Sequence, residues 1–232
     1  MRKLTLLTIL LATIGFQKEA SAQINEDQIG AWYMYFFSAD LKDKGFGIQG
    51  DVQYRNWNLG GDLEQLLLRG GLTYKPKNAN VKFTLGYGNI TTGEFGSGTS
   101  SVSESRIYQE ALLPHKVADR IYLTHRFRYE QRLVEDQDFR TRYRYNLFLT
   151  VPLNSKIIEK KTIYFALYNE LFINGQREIS FNKFVQIFDR NRFYAAVGYC
   201  ITDNLKVQVG MMRQTTNSWD KRQLQVSCHH KF

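Results

Sequence analysis

Residues 120–152 read RIYLTHRFRYEQRLVEDQDFRTRYRYNLFLTVP. Taken two at a time, Arg126, Arg128, Glu130 and Arg132 share one face of the first half, and Arg140, Arg142 and Arg144 share one face of the second. The opposite face carries Ile121, Leu123, Phe127 and Tyr129, then Tyr143, Tyr145, Leu147 and Leu149. Period-two alternation predicts two β-strands, and the short acidic EDQD link makes them a hairpin. So many arginines on one strand face need water or acids opposite them. A transmembrane β-barrel supplies that environment, with lipid against the aromatic and aliphatic face and a polar lumen inside.

The same alternation recurs outward from this hairpin. Strand-like segments are expected at Trp32–Ala39, Phe46–Trp57, Gln65–Lys75, Val81–Thr91 and Ser105–Leu113, the last closed by Pro114. Beyond the hairpin they recur at Thr162–Ile173, Arg190–Ile201, Leu205–Thr215 and Arg222–Phe232. Each is long enough to cross a bilayer on a tilt. The fold class expected is all-β: an antiparallel transmembrane β-barrel of about 10–12 strands. The segments number eleven, an odd count that sits badly with the even strand numbers of single-chain bacterial barrels. The expectation is therefore twelve, with the missing strand hidden in 174–189, where Ile179, Phe181, Phe184 and Ile187 recur. The Gly/Ser/Thr-rich stretch 92–103 reads as an extracellular loop, and short turns alternating with longer loops read as the two sides of a membrane.

The chain opens with Arg2 and Lys3, an apolar run Leu4–Phe16, and Ala20-Ser21-Ala22. This is the pattern of a signal peptide over 1–22, leaving a barrel over 23–232 and implying the outer membrane of a bacterium. With 31 Lys and Arg against 22 Asp and Glu, the chain is basic. An exported chain is not expected to meet nucleic acid, so the charge points to lipopolysaccharide and other outer-membrane lipids, to small anions, or to a charged lumen. Phe232 ends an alternating strand and resembles the signal read by the outer-membrane assembly machinery. Cys200 and Cys228 fall on opposite faces and are not expected to pair.

Several segments resemble one family. RIYQE (106–110), HRFRYEQR (125–132), RTRYRY (140–145), LYNELF (167–172) and FDRNRFYAAVGY (188–199) are similar to the pattern of a group of outer-membrane proteins common in Bacteroidetes, domain of unknown function 2490. The resemblance runs from about Trp32 to Phe232. It implies a β-barrel in the outer membrane, and it brings no established activity and no functional residues with it.

Four groups of residues could carry chemistry. The first is the inward set: Arg55, Arg69, Arg106, Arg126, Arg128, Arg132, Arg140, Arg142, Arg144 and Arg192, with Asp51, Glu110, Glu130 and Glu170. These can act as struts, through cross-strand Arg–carboxylate pairs. They can equally line a porin-like, anion-attracting pore, since rings of Arg select anions. The second is His125, on the lipid face with Gln109 expected opposite or nearly so. It is the one candidate for catalysis, as the base of a deacylase- or phospholipase-type lipid enzyme, but no serine on the neighbouring strands matches it in register. The third is His229-His230, whose side chains point to opposite faces and so cannot share a metal. His115 is read in a turn. The fourth is Asp189-Arg190-Asn191-Arg192, a loop-rim run that binds a ligand or pins the preceding loop. No P-loop, dinucleotide fingerprint, HExxH or CxxC is present, and no cofactor or metal is expected. The leading expectation is a structural barrel or narrow pore with a basic lumen. The alternatives are the lipid-active enzyme and an accessory subunit of an envelope assembly.

Overall fold

The computed structural model describes residues 25–41 and 45–232. The expected signal peptide lies outside the described residues. The elements in chain order are β1 (Gly30–Asp40), β2 (Phe46–Asn56), β3 (Leu63–Tyr74), β4 (Lys82–Gly93), β5 (Ser101–Ala118), β6 (Ile121–Val134), β7 (Arg140–Pro152), β8 (Ile163–Asn174), β9 (Glu178–Ser180), β10 (Lys183–Phe184), β11 (Phe188–Cys200), β12 (Leu205–Thr215) and β13 (Asp220–Lys231). No helix forms among the described residues. Eleven strands close into one barrel, and β9 and β10 make a separate two-stranded hairpin.

This corrects the expected twelve. The segment 174–189 does hold strands, but they pair only with each other and stay out of the wall. An odd wall closes because β1 and β13 run parallel, from Gly30 beside Gln223 to Ser38 beside Lys231. Every other pairing in the wall is antiparallel. A parallel pair is slightly weaker per residue than an antiparallel one, but it satisfies both edges. The backbone N–H of Phe232 extends the seam by donating to Ser38 O at 2.8 Å.

The quoted hairpin forms as read. β6 and β7 pair from Tyr122–Thr150 to Arg132–Arg140. In their link Asp136 takes a left-handed conformation (φ 56°), which Asp tolerates better than most residues. Two neighbouring boundaries shift. β5 does not close at Pro114 but continues to Ala118, opposite β6. Its last residue paired with β4 is Leu112, opposite Lys82, so Pro114 lies beyond the β4 ladder, where its missing N–H costs that ladder nothing. His115 is accordingly a strand residue and not a turn residue. The expected loop 92–103 shrinks to 94–100, because β4 runs to Gly93 and β5 starts at Ser101. Nor does loop length separate the rims: the connection 153–162 lies at the rim where β13 ends, and 175–187 lies at the other.

The interior alternates small and large residues so that a narrow cylinder can hold rings. Gly86 faces Tyr108 across the β4–β5 ladder, and Gly198 faces Tyr164 across β8–β11. A Cβ at Gly86 would sit 2.1 Å from Tyr108 Cζ, and one at Gly198 2.2 Å from Tyr164 Cζ. Each tyrosine therefore lies over bare backbone. Tyr164 joins Trp32, Tyr194, Ala196, Cys200 and Met212 in a buried cluster. Cys200 is buried and Cys228 half-buried, and both are free thiols.

The two ends of the barrel differ. Towards the rim where β1 begins, the interior is filled, with Leu67, Ile90, Phe172, Gln214, Lys221 and Gln223 at 2 % exposure or less. The Lys221 ammonium donates to the carbonyls of Gln28 (2.9 Å) and Asn25 (3.2 Å), which ties the segment before β1 across that rim. Trp57 and Phe95 meet edge to face nearby, at 5.6 Å. Towards the rim where β13 ends, a cavity of about 870 Å³ opens, bordered at its mouth by Asp203, Asn204, Lys206 and Lys231. Substituting Gly198 with Val should displace Tyr164 and destabilise the barrel by about 1–3 kcal/mol, the usual cost of overpacking. Urea unfolding of the refolded variant checks this, and an unchanged midpoint would mean that the ring yields freely.

Candidate functional site

The register of the strands decides which arginine meets which carboxylate. Glu110 lies directly across from Arg128, Glu130 from Arg142, and Asp51 from Arg69. Each of these pairs is bonded. Arg128 Nε donates to Glu110 at 2.7 Å, Arg142 Nη2 to Glu130 at 2.6 Å, and Arg69 Nη2 to Asp51 at 2.9 Å. Diagonal reach then lets a carboxylate serve a second guanidinium. Glu130 Oε1 also accepts from Arg144 Nη1 at 2.6 Å. Glu170 accepts from Arg126 at 2.5 Å and from Arg144 Nε at 2.8 Å. Glu104 accepts from both Arg106 and Arg132.

Arg128 and Arg144 are direct neighbours across β6–β7, a like-charged pair that would repel. Glu130 sits between them, bonded to Arg144 and 3.8 Å from Arg128 Nη1. Aromatic faces carry part of the remaining charge. Arg128 lies 4.4 Å from the centre of the Tyr108 ring, and Arg144 lies 4.4 Å from that of Phe172.

Of the inward arginines named from the sequence, all except Arg140 are buried or nearly so, and Arg140 is half-buried at the start of β7. Arg55, Arg140 and Arg192 form no ion pair among the described residues. Glu110, Glu130 and Glu170 are buried beside the arginines they bind. Asp189 accepts from Arg142 at 3.0 Å and from Arg190 at 3.1 Å, at a register shift between Phe188 and Arg190. The DRNR run thus ties the 175–187 connection to the network. Asn191 pairs instead with Asn169 on the outer face.

Sequence reasoning missed Glu104 and Glu64. Both lie one residue before the strand starts expected at Ser105 and Gln65, so extending the alternation by a single step would have found them. Glu104 anchors Arg106 and Arg132, and Glu64 accepts from the Trp32 indole at 2.8 Å.

His125 is not opposite Gln109. It lies across from Leu113 and Leu147, while Gln109 lies across from Tyr129. The misplacement comes from counting back through a turn at 114–119 that is in fact strand. His125 Nδ1 is 2.8 Å from the Tyr145 hydroxyl, and the ring stacks on His115 at 5.2 Å. Those neighbours satisfy the imidazole, and no serine is its cross-strand partner. His229 faces inward, stacked on Phe36 at 4.8 Å, and His230 faces outward, within 3.1 Å of the Tyr35 hydroxyl. No cluster of three His, Cys, Asp or Glu among the described residues has a geometry that would hold a metal.

Glu130 is the most heavily shared of these acids. Glu130→Gln should leave Arg142 and Arg144 short of charge in a buried setting and cost about 3–5 kcal/mol. Arg140→Gln, which breaks no ion pair, should change stability by under about 1 kcal/mol. Equal losses in denaturant titrations of the two variants would show that the network does not order the lumen.

A family described as "Protein of unknown function (DUF2490)" matches residues 29–225. No curated protein and no solved structure matches.

Proposed function

The chain belongs to that family of unknown function, whose match covers almost the whole wall, and we propose that it is an outer-membrane β-barrel with an ion-paired, plugged interior instead of an open porin-like channel. The observation that carries the reading is the inversion of polarity. The outer face is apolar around the cylinder, with Leu72, Leu85 and Val197 at 64 %, 58 % and 55 % exposure, while Glu130, Arg142 and Arg144 are buried within. In water so continuous an apolar surface would aggregate, whereas in a bilayer it is the expected exterior. The wall has no free edge, so its backbone groups are satisfied without water. Paired rings such as Phe46–Tyr74, 4.9 Å apart at one rim, suit the interfacial girdle of such a barrel.

Plugging is favoured over conduction for two reasons. The arginines are mostly spent on carboxylates, which leaves little net field to draw ions. The rim where β1 begins is also filled by Lys221, Trp57 and the segment before β1. Signal-peptide export, assembly through the strand ending in Phe232, and contact with lipopolysaccharide belong to the same proposal.

Two measurements test it. Leu85→Arg, in mid-wall, should cost about 2–4 kcal/mol for the barrel in a lipid bilayer, because the guanidinium would sit in hydrocarbon. A neutral result would argue for a wall that faces water. In planar bilayers the purified barrel should give no discrete conductance steps. Anion-selective steps that weaken in Arg128→Gln and Arg142→Gln would overturn the plugged reading in favour of a pore.

A further inference from the structure

Besides Arg140 at the start of β7, the interior holds two arginines that form no ion pair among the described residues. Arg55 bonds only to glutamines: Nη1 donates to Gln65 at 2.8 Å, and Nε and Nη2 donate to Gln53. Arg192 spends its Nε on Gln214 at 2.6 Å, and its two terminal amino groups have no partner among the described residues. Its neighbour across the ladder is Glu170, but that carboxylate is taken by Arg126 and Arg144. Both guanidiniums lie over the same indole, Arg55 at 3.8 Å and Arg192 at 4.8 Å from the centre of Trp32. Both are buried, at 6 % exposure each, and both border the 870 Å³ cavity. The Tyr194 hydroxyl, on the same cavity, is buried and without a hydrogen-bond partner among the described residues.

Two like charges lie beside one ring, neither within ion-pair distance of a carboxylate among the described residues, although Glu64 bonds the same indole, and Arg192 keeps unspent N–H groups beside an open volume. The rest of the cavity says what else the missing group carries. Its walls include Met34, Phe36, Tyr164 and Ala166, and Lys206 and Lys231 stand at its mouth. A cavity of this size is within the range that holds small organic molecules, and its mixture of rings with a few convergent polar groups is typical of such sites. A guanidinium fork matches a carboxylate or a phosphate, and both offer two oxygens to it.

We propose that the cavity binds an amphiphilic organic anion, a single carboxylate or phosphate head on an apolar body, with the head between Arg55 and Arg192 and the body against Tyr164, Tyr194 and Phe36. The lysines at the mouth favour entry from the rim where β13 ends. The proposal goes beyond the plugged-barrel reading and does not depend on it, since a barrel that conducts could still hold such a ligand.

Calorimetric titration of the full-length protein, folded in a neutral detergent, tests it with three soluble probes of one shape: 4-phenylbutyrate, 4-phenylbutyl phosphate and the uncharged 4-phenylbutanol. At least one anion should bind, and the alcohol should bind at least about tenfold more weakly than that anion. The tighter of the two anions identifies the head group. Arg192→Gln should weaken anion binding at least about tenfold while leaving the far-ultraviolet circular dichroism unchanged, since it deletes a charge that has no ion-pair partner among the described residues. If that variant does not fold, Tyr194→Phe, which removes only the free hydroxyl, should weaken binding several-fold. Absence of binding by either anion, equal binding of the alcohol, or full affinity in the folded variant read would overturn the proposal.

Discussion

A buried guanidinium must meet a carboxylate, a ring face or an amide oxygen, or its desolvation goes uncompensated. Inside this barrel there are more guanidiniums than carboxylates, and much of the architecture follows from that shortage. Glu104, Glu110 and Glu170 each serve two arginines and Glu130 serves three. Sharing requires diagonal as well as direct neighbours, so strand register becomes a chemical requirement. A slip of one residue would turn every arginine of a strand outward and strip its neighbours of their partners. Phe172, Tyr108 and Trp32 supply ring faces where carboxylates run out. Such ion pairs are weak evidence for stability, because well-packed apolar residues often do as well. Their clearer effect here is to fix one register among several that the apolar outer face alone would accept.

The inward rings need room, and glycine provides it. Tyr108 and Tyr164 occupy the space that side chains at Gly86 and Gly198 would have taken. The same economy leaves an open cavity at one end and a filled interior at the other. Lys221 illustrates the contrast. Its ammonium is fully buried and bonds to the carbonyls of Asn25 and Gln28, so a residue of the last strand holds the approach to the first.

Period-two alternation made the strands, their faces and the inward arginines legible, because side-chain direction in a strand depends only on parity. It could not give register, which depends on the partner strand. His125 shows the difference: its outward direction was readable, but its neighbours His115 and Tyr145 were not, because Pro114 was read as the end of β5. Glu104 and Glu64 were lost for a related reason, each lying a single step outside a strand boundary drawn from apolar residues. The strand count failed on closure. Alternation is identical in parallel and antiparallel pairs, so nothing in β1 or β13 announces that they run the same way. The segment 174–189 has enough apolar residues to form strands, yet β9 and β10 find only each other.

The parallel seam separates the two ends of the chain. In a wall of even strand number, the first strand starts and the last strand finishes on the same rim. Here β1 starts at one rim and β13 finishes at the other. The polypeptide therefore makes a net crossing of the cylinder, so that Gly30 and Lys231 stand at opposite rims. Joining the ends directly to make a circular permutant would need a linker as long as the barrel is tall, routed through the lumen or around the wall. Two reporters, one fused at each end, would stand at opposite rims of a single molecule.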